Sequence, residues 1–326
     1  MTILPLNSDS IKEAVTLLGQ GRLVALPTET VYGLAGDATN GKAVSSIFFT
    51  KKRPKFNPLI VHVSSIVMAE CYVEIDSISR RLMEAFWPGP LTLVLPLKSH
   101  HNIHPLTTAG LNTLAIRFPD SSFADIVQCF GRPLAAPSAN ESGRLSPTSA
   151  EAVFASLGET VPLIIDGGSS KIGIESTIIK VCNKNIYLLR PGGLAAEEIE
   201  TVAEKSLKRL DQCEVIEAPG MLKSHYAPNA TVRLNAQKVE CGEALLAFGP
   251  KRIMGVENAV SVLNLSKNGK LEEAAAHLFQ YMRKLDSLKV KSIAVEPIPS
   301  IGLGEAINDR LIRAAAPKEK WKWSGI

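Results

Sequence analysis

The sequence predicts an α/β protein with two domains: a large twisted mixed sheet with packed helices, then a smaller, Rossmann-like parallel α/β domain. Three observations predict this architecture. The chain has 326 residues, and at roughly 150 residues per domain that length accommodates two domains. Many short apolar runs and few helical patterns fill the first two thirds, which favours one large mixed sheet. The last third alternates strand, helix, strand, helix, which favours a small parallel sheet.

The first domain is expected over residues 1–210. Its first helix, at 11–18, has Ser8 or Ser10 as its cap and ends at Gly19. The apolar run that follows is predicted to be a strand stopped by Pro27. The predicted strands are 22–26, 59–63, 91–95, 113–117, 133–136, 163–165, 177–181 and 186–189. The further predicted helices are 42–49, 77–86, 122–129, 149–157 and 195 to about 210.

A segment with two prolines and a glycine separates the two domains. Residues 218–229 read Ala-Pro-Gly-Met-Leu-Lys-Ser-His-Tyr-Ala-Pro-Asn, and prolines favour an extended path over a helix. We therefore expect a linker over 211–229 and a second domain over 230–326. The strands predicted in the second domain are 244–248, 260–265 and 292–296, and the helices are 271–285 and 301–316.

Composition and charge exclude several classes of protein. Hydrophobic residues make up 45% of the chain and charged residues 21%, which excludes disorder as the main state. Its 36 basic and 32 acidic side chains give a net charge of +4, too small over this length for a polybasic role. The N-terminus shows no signal-peptide pattern, and no apolar run approaches the ~18 residues that span a bilayer. We therefore expect a cytoplasmic protein without membrane contact.

The cysteines and histidines indicate neither a disulfide framework nor a metal site. The cysteines are odd in number and include no C-x-x-C pair, so buried free thiols are expected. They are Cys71, Cys129, Cys182, Cys213 and Cys241. Three histidines, His100, His101 and His104, lie close together, but their spacing fits no standard metal site. We therefore predict no metal held by protein ligands.

Polar residues gather where the predicted strands end, and open α/β sheets bind ligands at this edge. Residues 27–34 (PTETVYGL) leave one strand and offer hydroxyls to a small polar substrate. Residues 50–57 (TKKRPKFN) concentrate cations at a helix end, near the strand that holds His62. Arg117 and Arg190 end two further strands, and converging arginines form a clamp for phosphate or carboxylate. These segments together predict an anion site.

Two loops, 136–148 and 173–177, add hydroxyls and backbone N–H groups of the kind that bind anions. His62 lies in an otherwise apolar strand, so the residues alone leave open whether it fills the core or contacts a substrate. The chain has no P-loop, no nucleophile elbow and no Ser-His-Asp order, and Gly302-Leu-Gly304 lacks the third glycine of a dinucleotide motif. A nucleotide would have to be held by another device.

Several of these segments, in this order, resemble the YrdC-type domain of the threonylcarbamoyl-AMP synthase family. The motifs are Lys51-x-Arg53-Pro54 with Asn57-Pro-Leu-Ile-Val-His-Val63, Trp87-Pro-Gly-Pro-Leu-Thr92, Ala136-Pro-Ser-Ala-Asn140 and Arg190-Pro-Gly-Gly193. Pro219-Gly-Met with His225-Tyr-Ala-Pro228 is similar to the linker of the long, two-domain form. The resemblance covers nearly the whole chain and implies a YrdC-like fold for the first domain.

The resemblance implies a reaction in which L-threonine, bicarbonate or CO2, and ATP give L-threonylcarbamoyladenylate and pyrophosphate. This product feeds the formation of N6-threonylcarbamoyladenosine in tRNAs that read codons beginning with A. The implied partners are therefore these substrates, a downstream tRNA threonylcarbamoyl transferase complex and, through a weak contact, tRNA itself. Mg²⁺ is implied as the partner of the ATP phosphates, with few or no ligands from the protein.

The matched motifs also imply roles for single residues. The implied catalytic residues are Lys51 and Arg53. The implied threonine-binding residues are Thr30, His62, Arg117 and Ser176. The implied ATP-binding residues are Arg53, Asn57, Thr113, Ser138, Asn140, Ser146, Arg190 and Tyr226. Such a site is compatible with the chemistry, because the reaction needs positioning and charge neutralisation more than a protein nucleophile.

Two other interpretations stay open at this point. One is an RNA-binding module, which the weak net charge and the lack of interleaved aromatic and basic residues disfavour. The other is a carbamoyl-adenylate enzyme of another pathway, such as hydrogenase maturation. The zinc-finger and acylphosphatase segments of that enzyme have no counterpart in this sequence.

Overall fold

The computed structural model describes residues 2–209, 218–220 and 225–317. The strands are β1 Thr2–Pro5, β2 Val24–Leu26, β3 Gly33–Asp37, β4 Ile60–His62, β5 Leu91–Pro96, β6 Thr113–Arg117, β7 Leu134–Ala135, β8 Leu163–Asp166, β9 Thr177–Cys182, β10 Asn185–Arg190, β11 Leu207–Arg209, β12 Thr231–Arg233, β13 Ala244–Ala247, β14 Val262–Asn264 and β15 Ser292–Val295. The α-helices are α1 Ser8–Gly19, α2 Gly41–Lys51, α3 Ile66–Glu70, α4 Ser77–Phe86, α5 Ser122–Phe130, α6 Ala150–Leu157, α7 Ala196–Ala203, α8 Leu271–Ser287 and α9 Leu303–Ala315.

The first sheet has eleven strands in the order β1-β8-β2-β3-β7-β4-β6-β5-β9-β10-β11. The sheet contains parallel pairs, such as β4 with β6, and antiparallel pairs, such as β5 with β6. This confirms the predicted large mixed sheet. The parallel register of β4 and β6 sets His62 opposite Arg117, so these two strands end side by side. Two residues that are 55 positions apart in the chain therefore meet at one sheet edge.

The end of helix α2 delivers a group of cations to that edge. The helix begins after Asn40, whose side chain accepts hydrogen bonds from the backbone N–H groups of Lys42 and Ala43 at 2.9 and 3.3 Å. It ends at Lys51, because Lys52 adopts the left-handed conformation with φ of 50°. The basic residues predicted at the helix end are thus confirmed in the last turn and just beyond it.

The central strands bury both of their faces. One face packs into the largest core, in which Leu93 and Ile116 are fully buried. The other face carries a small apolar cluster that includes Ile60, Ala115 and Ile178. Because side chains alternate along a strand, Arg117 lies on the same face as Ala115. The candidate site therefore lies on the face with the small apolar cluster.

The second domain has a four-stranded sheet in the order β12-β15-β13-β14, and all of its strand pairs are parallel. This confirms the predicted small parallel sheet. Its core, which includes Phe279 and Ile307, also takes in Val31, Leu145 and Ile174 from the first domain and Tyr226 from the linker. The second domain is thus packed against the site-bearing face of the first through a shared apolar core.

The predicted helix from 195 to about 210 is wrong in its second half. Helix α7 ends at Ala203, because Glu204 adopts a left-handed conformation with φ of 52°. Leu207–Arg209 then forms β11 parallel to β10. The continuous helical pattern of the sequence did not reveal this break.

Four strands, the short helix α3 and one helix cap differ from prediction. The strands that the apolar runs did not predict are β1, β3, β11 and β12. Strand β3 contains Gly33 and Gly36, and strand β1 ends in Pro5, residues that weaken a strand pattern. Helix α1 is capped by Asn7, which accepts from the N–H groups of Asp9 and Ser10, so the predicted serine cap is wrong.

The thiols are free but not buried. Cys71, Cys129, Cys182 and Cys241 are all exposed, so the expectation of buried thiols is wrong for these four, while Cys213 lies outside the described residues. No group of His, Cys, Asp or Glu within the described ranges could hold a metal ion. A search of the same ranges found no helix with the length and apolarity needed to cross a membrane.

Candidate active site

A cavity of about 50 Å³ lies between the first domain and the linker. Eight of the residues with predicted site roles line it: Thr30, Arg53, His62, Arg117, Ser138, Ser176, Arg190 and Tyr226. The residues that line it also include Thr28, Glu175, Pro219, Gly220 and His225. Two groups of buried side chains lie at this cavity, and all their members except Glu29 and Lys51 line it. We call them the Arg117 cluster (Glu29, Thr30, His62, Arg117) and the Arg53 cluster (Lys51, Arg53, Arg190).

In the Arg117 cluster, the guanidinium of Arg117 has a partner for each of its nitrogens. Its Nε donates to the carbonyl of Gly89 at 3.1 Å, its Nη1 donates to Thr30 Oγ1 at 3.0 Å, and its Nη2 forms a short ion pair with Glu29 Oε1. Glycine is required at position 89, because a Cβ there would lie 2.3 Å from the carbonyl oxygen of Phe86. The cluster thus holds a planar donor group beside a hydroxyl and a buried carboxylate.

His62 brings a neutral ring into the Arg117 cluster. Burial, and second the charge of Arg117, lower the pKa of His62 to about 3, so the imidazole is neutral at pH 7. Its buried Nδ1 has no hydrogen-bond partner in residues 2–209, 218–220 and 225–317, and its ring lies 4.8 Å from that of Phe123 between centroids. The ring lines the cavity, and its contact with a substrate stays a prediction.

In the Arg53 cluster, three buried cations are held by neutral groups. Arg53 Nη2 donates to Asn57 Oδ1 and to the Pro58 carbonyl, both at 2.7 Å, and Nε donates to the Asn57 carbonyl at 3.1 Å. Lys51 Nζ donates to the carbonyls of Ser138 and Asn140 at 2.6 and 2.5 Å. Within the part of the chain that the structure describes, neither side chain forms an ion pair with a carboxylate.

Arg190 completes the Arg53 cluster. Its Nη2 donates to the Ser176 carbonyl at 2.8 Å, and its Nη1 donates to the Pro219 carbonyl of the linker at 3.2 Å. The turn after Arg190 needs a glycine at position 192, because a Cβ there would lie 2.3 Å from the carbonyl carbon of Ser176. The loop before β9 and the linker are thus tied to the same guanidinium.

The charge of this cluster is visible in its pKa values. Burial, and second the charge of Arg190, lower the pKa of Arg53 to about 9. Burial, and second the charge of Arg53, lower the pKa of Lys51 well below its ordinary value. Buried like charges without counter-ions disfavour their own charged forms. The Arg53 cluster is therefore built for an anionic ligand that would supply the missing negative charge.

The linker closes the cavity. Tyr226 is almost fully buried, adopts φ of 60°, and stacks on Phe279 of the second domain at 5.5 Å between ring centroids. His225 packs edge-on against Tyr226 at 4.1 Å, and its buried Nδ1 has no partner within the described parts of the chain. Pockets for drug-sized ligands are about 300–1,000 Å³, so the cavity is too small for a nucleotide while these rings stay in place.

Five of the predicted site residues do not line the cavity. Three of them support residues that do: Lys51 by donating to the Ser138 carbonyl, Asn57 by accepting from Arg53, and Ser146 by donating to Glu175. Asn140 donates to the carbonyls of Glu141 and Arg144, which do not line the cavity. Thr113 begins β6, four residues before Arg117, which places it about 13 Å away along the strand. Direct contacts of these five with ATP stay predictions.

Sequence reasoning missed four residues that shape the site. Glu29 and Glu175 lie in the quoted motifs, but a carboxylate gave no positive signal in an anion site. Thr28 binds Thr30, with 2.8 Å between their hydroxyl oxygens. Arg310 lies in the middle of α9 and gave no local signal, because only the packing of the two domains brings it to Glu175.

Comparisons with known proteins extend over both domains. Residues 16–192 match the family model described as telomere recombination, which groups Sua5, YciO and YrdC proteins. Residues 194–316 match the model described as the C-terminal domain of threonylcarbamoyl-AMP synthase. The chain is 40% identical to the threonylcarbamoyl-AMP synthase of Bacillus subtilis over 95% of this chain and 94% of that protein.

The chain belongs to the threonylcarbamoyl-AMP synthase family. The crystal structure of Pyrococcus abyssi Sua5 complexed with L-threonine superposes with a TM-score of 0.89 at 36% identity, covering 97% of this chain and 98% of that one. A second structure of the P. abyssi protein, in which a histidine and the next tyrosine are replaced by alanine, has a TM-score of 0.86 at 33% identity and covers 97% and 96% of the two chains. In this chain the only His-Tyr pair is His225-Tyr226.

Membership in the threonylcarbamoyl-AMP synthase family confirms the expectation of an ATP-dependent enzyme that transfers an adenylyl group. Because the matches cover the catalytic domain and the second domain, they favour this interpretation over an RNA-binding module or an enzyme of another carbamoylation pathway.

Proposed function

We propose that this protein joins L-threonine, bicarbonate or CO2, and ATP into L-threonylcarbamoyladenylate, and releases pyrophosphate. The observation that carries the proposal is the pairing of two clusters in one cavity. The Arg117 cluster offers a donor fork, a hydroxyl and a neutral imidazole, and the Arg53 cluster offers three buried cations, of which Lys51 and Arg53 form no ion pair with any described carboxylate. The first suits a small amino acid, and the second suits a chain of phosphates.

Threonine binds at the Arg117 cluster in this proposal. The planar guanidinium of Arg117 pairs with the threonine carboxylate, and the hydroxyls of Thr30 and Ser176 and the ring of His62 contact the rest of the molecule. The L-threonine in the complex of the P. abyssi protein supports this substrate. Because His62 is neutral, it adds no charge that would hold the threonine amine or carboxylate in the wrong place.

The Arg53 cluster binds the phosphates of ATP. The threonine amine captures CO2 as a carbamate, and a carbamate oxygen then attacks the α-phosphorus while the bond to pyrophosphate breaks. Negative charge grows on the leaving pyrophosphate, and buried cations that are already in place stabilise it without rearranging. Lys51 acts indirectly, since it donates to two carbonyls of the loop that carries Ser138 and so fixes this loop.

Mg²⁺ enters with ATP in this proposal. Glu175 lines the cavity, but one of its oxygens accepts from Ser146 and the other from Arg310, so both oxygens already hold protein donors. The donor set therefore fits an ion that is held by the phosphates and by water. When bound, the ion neutralises phosphate charge.

The linker acts as a lid over the reacting groups. His225 and Tyr226 close a cavity that cannot hold ATP in its present size, so they have to move for ATP to enter. Their return excludes water from a mixed anhydride that water would hydrolyse. A short-lived product of this kind needs an acceptor amine close by.

We infer that the acceptor amine is that of the adenosine in tRNA and that a tRNA threonylcarbamoyl transferase complex in the cytoplasm catalyses the transfer, with at most a weak direct contact between this enzyme and tRNA. The low net charge of the chain supports this division of labour. Salt provides the test, because binding through several phosphates weakens steeply as salt rises. Adenylate formation without RNA would show that the RNA contact is dispensable for the chemistry.

Mass spectrometry of the reaction mixture tests the proposed activity. The complete mixture is expected to contain threonylcarbamoyladenylate and pyrophosphate. Mixtures without threonine, without bicarbonate, or with serine in place of threonine provide matched controls. Equal pyrophosphate release in all four mixtures would refute the proposal, because it would mean that ATP is cleaved without the amino acid.

A further inference from the structure

One arginine of the second domain reaches the catalytic cavity of the first. Arg310 lies in α9, and its side chain is completely buried. Its Nε donates to Glu175 Oε2 at 2.8 Å across the domain boundary, and its Nη1 donates to Asp309 Oδ2 at 2.6 Å. A charged side chain is costly to bury unless it is paired, so this contact is a specific feature of the interface.

Arg310 also contacts the lid. Its guanidinium carbon lies 5.1 Å from the centroid of the Tyr226 ring, within the range of a cation–π interaction. Among the residues that the structure describes, its buried Nη2 has no hydrogen-bond partner. The same side chain therefore contacts a carboxylate that lines the cavity and the ring that closes the cavity. Its Nη2 group remains as a donor that is not used by the described residues.

Glu175 connects Arg310 to the residues proposed to hold ATP. Its Oε1 accepts a short hydrogen bond from Ser146, and its backbone carbonyl accepts from the N–H of Gly193 at 2.9 Å. The next residue, Ser176, accepts from Arg190 through its carbonyl and its hydroxyl. A displacement of Glu175 would therefore move both Ser146 and the anchor of Arg190.

The ionisation of Glu175 depends on its neighbours. Burial alone raises the pKa of this carboxyl, but the charges of Arg310 and Arg190 and the hydrogen bond from Ser146 outweigh burial and lower it to about 2. The titratable groups around it are Lys51, Arg190, His225, Tyr226, Asp309 and Arg310. Without Arg310 the burial effect gains weight, so the pKa rises and Glu175 takes up a proton at a higher pH.

We propose that Arg310 is a positioning residue for adenylate formation, which acts through its ion pair with Glu175 and its contact with Tyr226. The second domain then completes the active site of the first. This inference rests on the proposed function. A positioning role differs from a purely structural role, because an interface residue that only holds the domains together would not change the pH profile of adenylate formation.

The chain offers a matched control on the same helix. Glu305 of α9 pairs with Arg209 of β11 through two hydrogen bonds of 2.7 and 3.0 Å, and this pair also joins the two domains. The side chain of Arg209 is 52% exposed, whereas that of Arg310 is 0% exposed. Arg209→Gln therefore removes an interdomain ion pair without touching the cavity.

The test compares adenylate formation by the full-length wild type, Arg310→Met, Arg310→Lys and Arg209→Gln between about pH 5 and 9. Arg310→Met is expected to lower kcat roughly tenfold to 100-fold and to shift the acid limb of the pH profile upwards. Adding Glu175→Gln to Arg310→Met should remove that shifted limb, because an amide does not titrate. Arg209→Gln should keep the wild-type profile.

Arg310→Lys keeps the experiment decisive if Arg310→Met does not fold. Lysine retains the charge beside Glu175 but cannot bridge Glu175 and Asp309 with a planar fork, so the wild-type acid limb should remain while kcat falls. A folded Arg310→Met or Arg310→Lys enzyme with wild-type kcat and pH profile would overturn the inference. A wild-type protein that makes no adenylate in the same assay would instead refute the proposed function.

Discussion

The Arg117 cluster and the Arg53 cluster differ in how a buried arginine is held. Arg117 is paired with a buried carboxylate, Glu29, whereas the partners of Arg53 in the described residues are an amide and two carbonyls. A compensated arginine can bind a small zwitterion without a large change in net charge. An uncompensated arginine keeps its attraction for an anion, and here the neighbouring charge of Arg190 increases it. The difference indicates which cluster receives the amino acid and which receives the phosphates.

The largest effect on catalysis should follow from removing a charge from the Arg53 cluster. Arg53→Ala is expected to reduce adenylate formation by about 10²–10³-fold, since it takes away a donor that stabilises the leaving phosphates. Arg53→Lys should restore only part of the rate, because the forked geometry is lost. Steady-state assays of pyrophosphate release provide the measurement.

Arg81→Ala, at an exposed arginine, is the control for Arg53→Ala. The folding of the Arg53→Ala protein should be little affected, because no charged group loses its partner. Near-normal turnover by a well-folded Arg53→Ala enzyme would mean that the phosphates bind elsewhere.

A substitution in the Arg117 cluster should instead change the threonine requirement of the enzyme and its stability. Arg117→Ala is expected to raise KM for threonine about tenfold to 100-fold, far more than KM for ATP, since one hydrogen-bonded charge is worth about 1.5–3 kcal/mol. It should also lower the free energy of unfolding by about 3 kcal/mol, because Glu29 is left buried without its partner.

The double variant Arg117→Ala, Glu29→Gln separates the two effects of that change. Stability in urea should return toward that of the wild type, while KM for threonine should stay high. Equal changes in the KM values of threonine and ATP would show that Arg117 serves both substrates or only the fold.

Each cluster is accompanied by one neutral buried histidine, and pH tests both. The pKa of His62 and that of His225 are both lowered to about 3, mainly by burial. Because the unfolded chain takes up these protons near pH 6.5, the folded state is favoured above that pH and loses stability as the pH falls toward 3. From pH 7 to pH 5 each histidine should cost about 2 kcal/mol of unfolding free energy.

Urea titrations at several pH values measure this slope. His62→Asn and His225→Asn should each flatten it, and His101→Asn, at an exposed histidine, is the control. A slope that neither buried variant changes would contradict the assignment of neutral rings.

Removal of the lid should have the smallest effect on threonine binding and a clear effect on the yield of adenylate. Removing the chain after about residue 210 takes away the linker and the second domain, so the first domain should still bind threonine weakly but yield little adenylate per ATP cleaved. Limited proteolysis between Pro219 and Pro228 should slow when threonine and ATP are both present. Full activity of the shortened chain with unchanged cleavage would mean that the linker only connects the domains.

The sequence was informative where a signal is local. Apolar runs located β5 and β6 within a residue, and the basic residues after α2 pointed to the Arg53 cluster. Strand β3 escaped because its glycines carry no apolar pattern. Glu29, Glu175 and Arg310 escaped for another reason, since their partners lie 88 and 135 residues away and only the folded topology shows which charges are paired.

Binding of the separate ligands tests the division between the clusters most directly. Calorimetric titrations would measure L-threonine and pyrophosphate binding to the wild type, Arg53→Ala and Arg117→Ala. We predict that Arg53→Ala loses affinity for pyrophosphate and keeps its affinity for threonine, and that Arg117→Ala does the reverse. Loss of both ligands in both variants, or of neither, would contradict the account of two clusters with separate tasks.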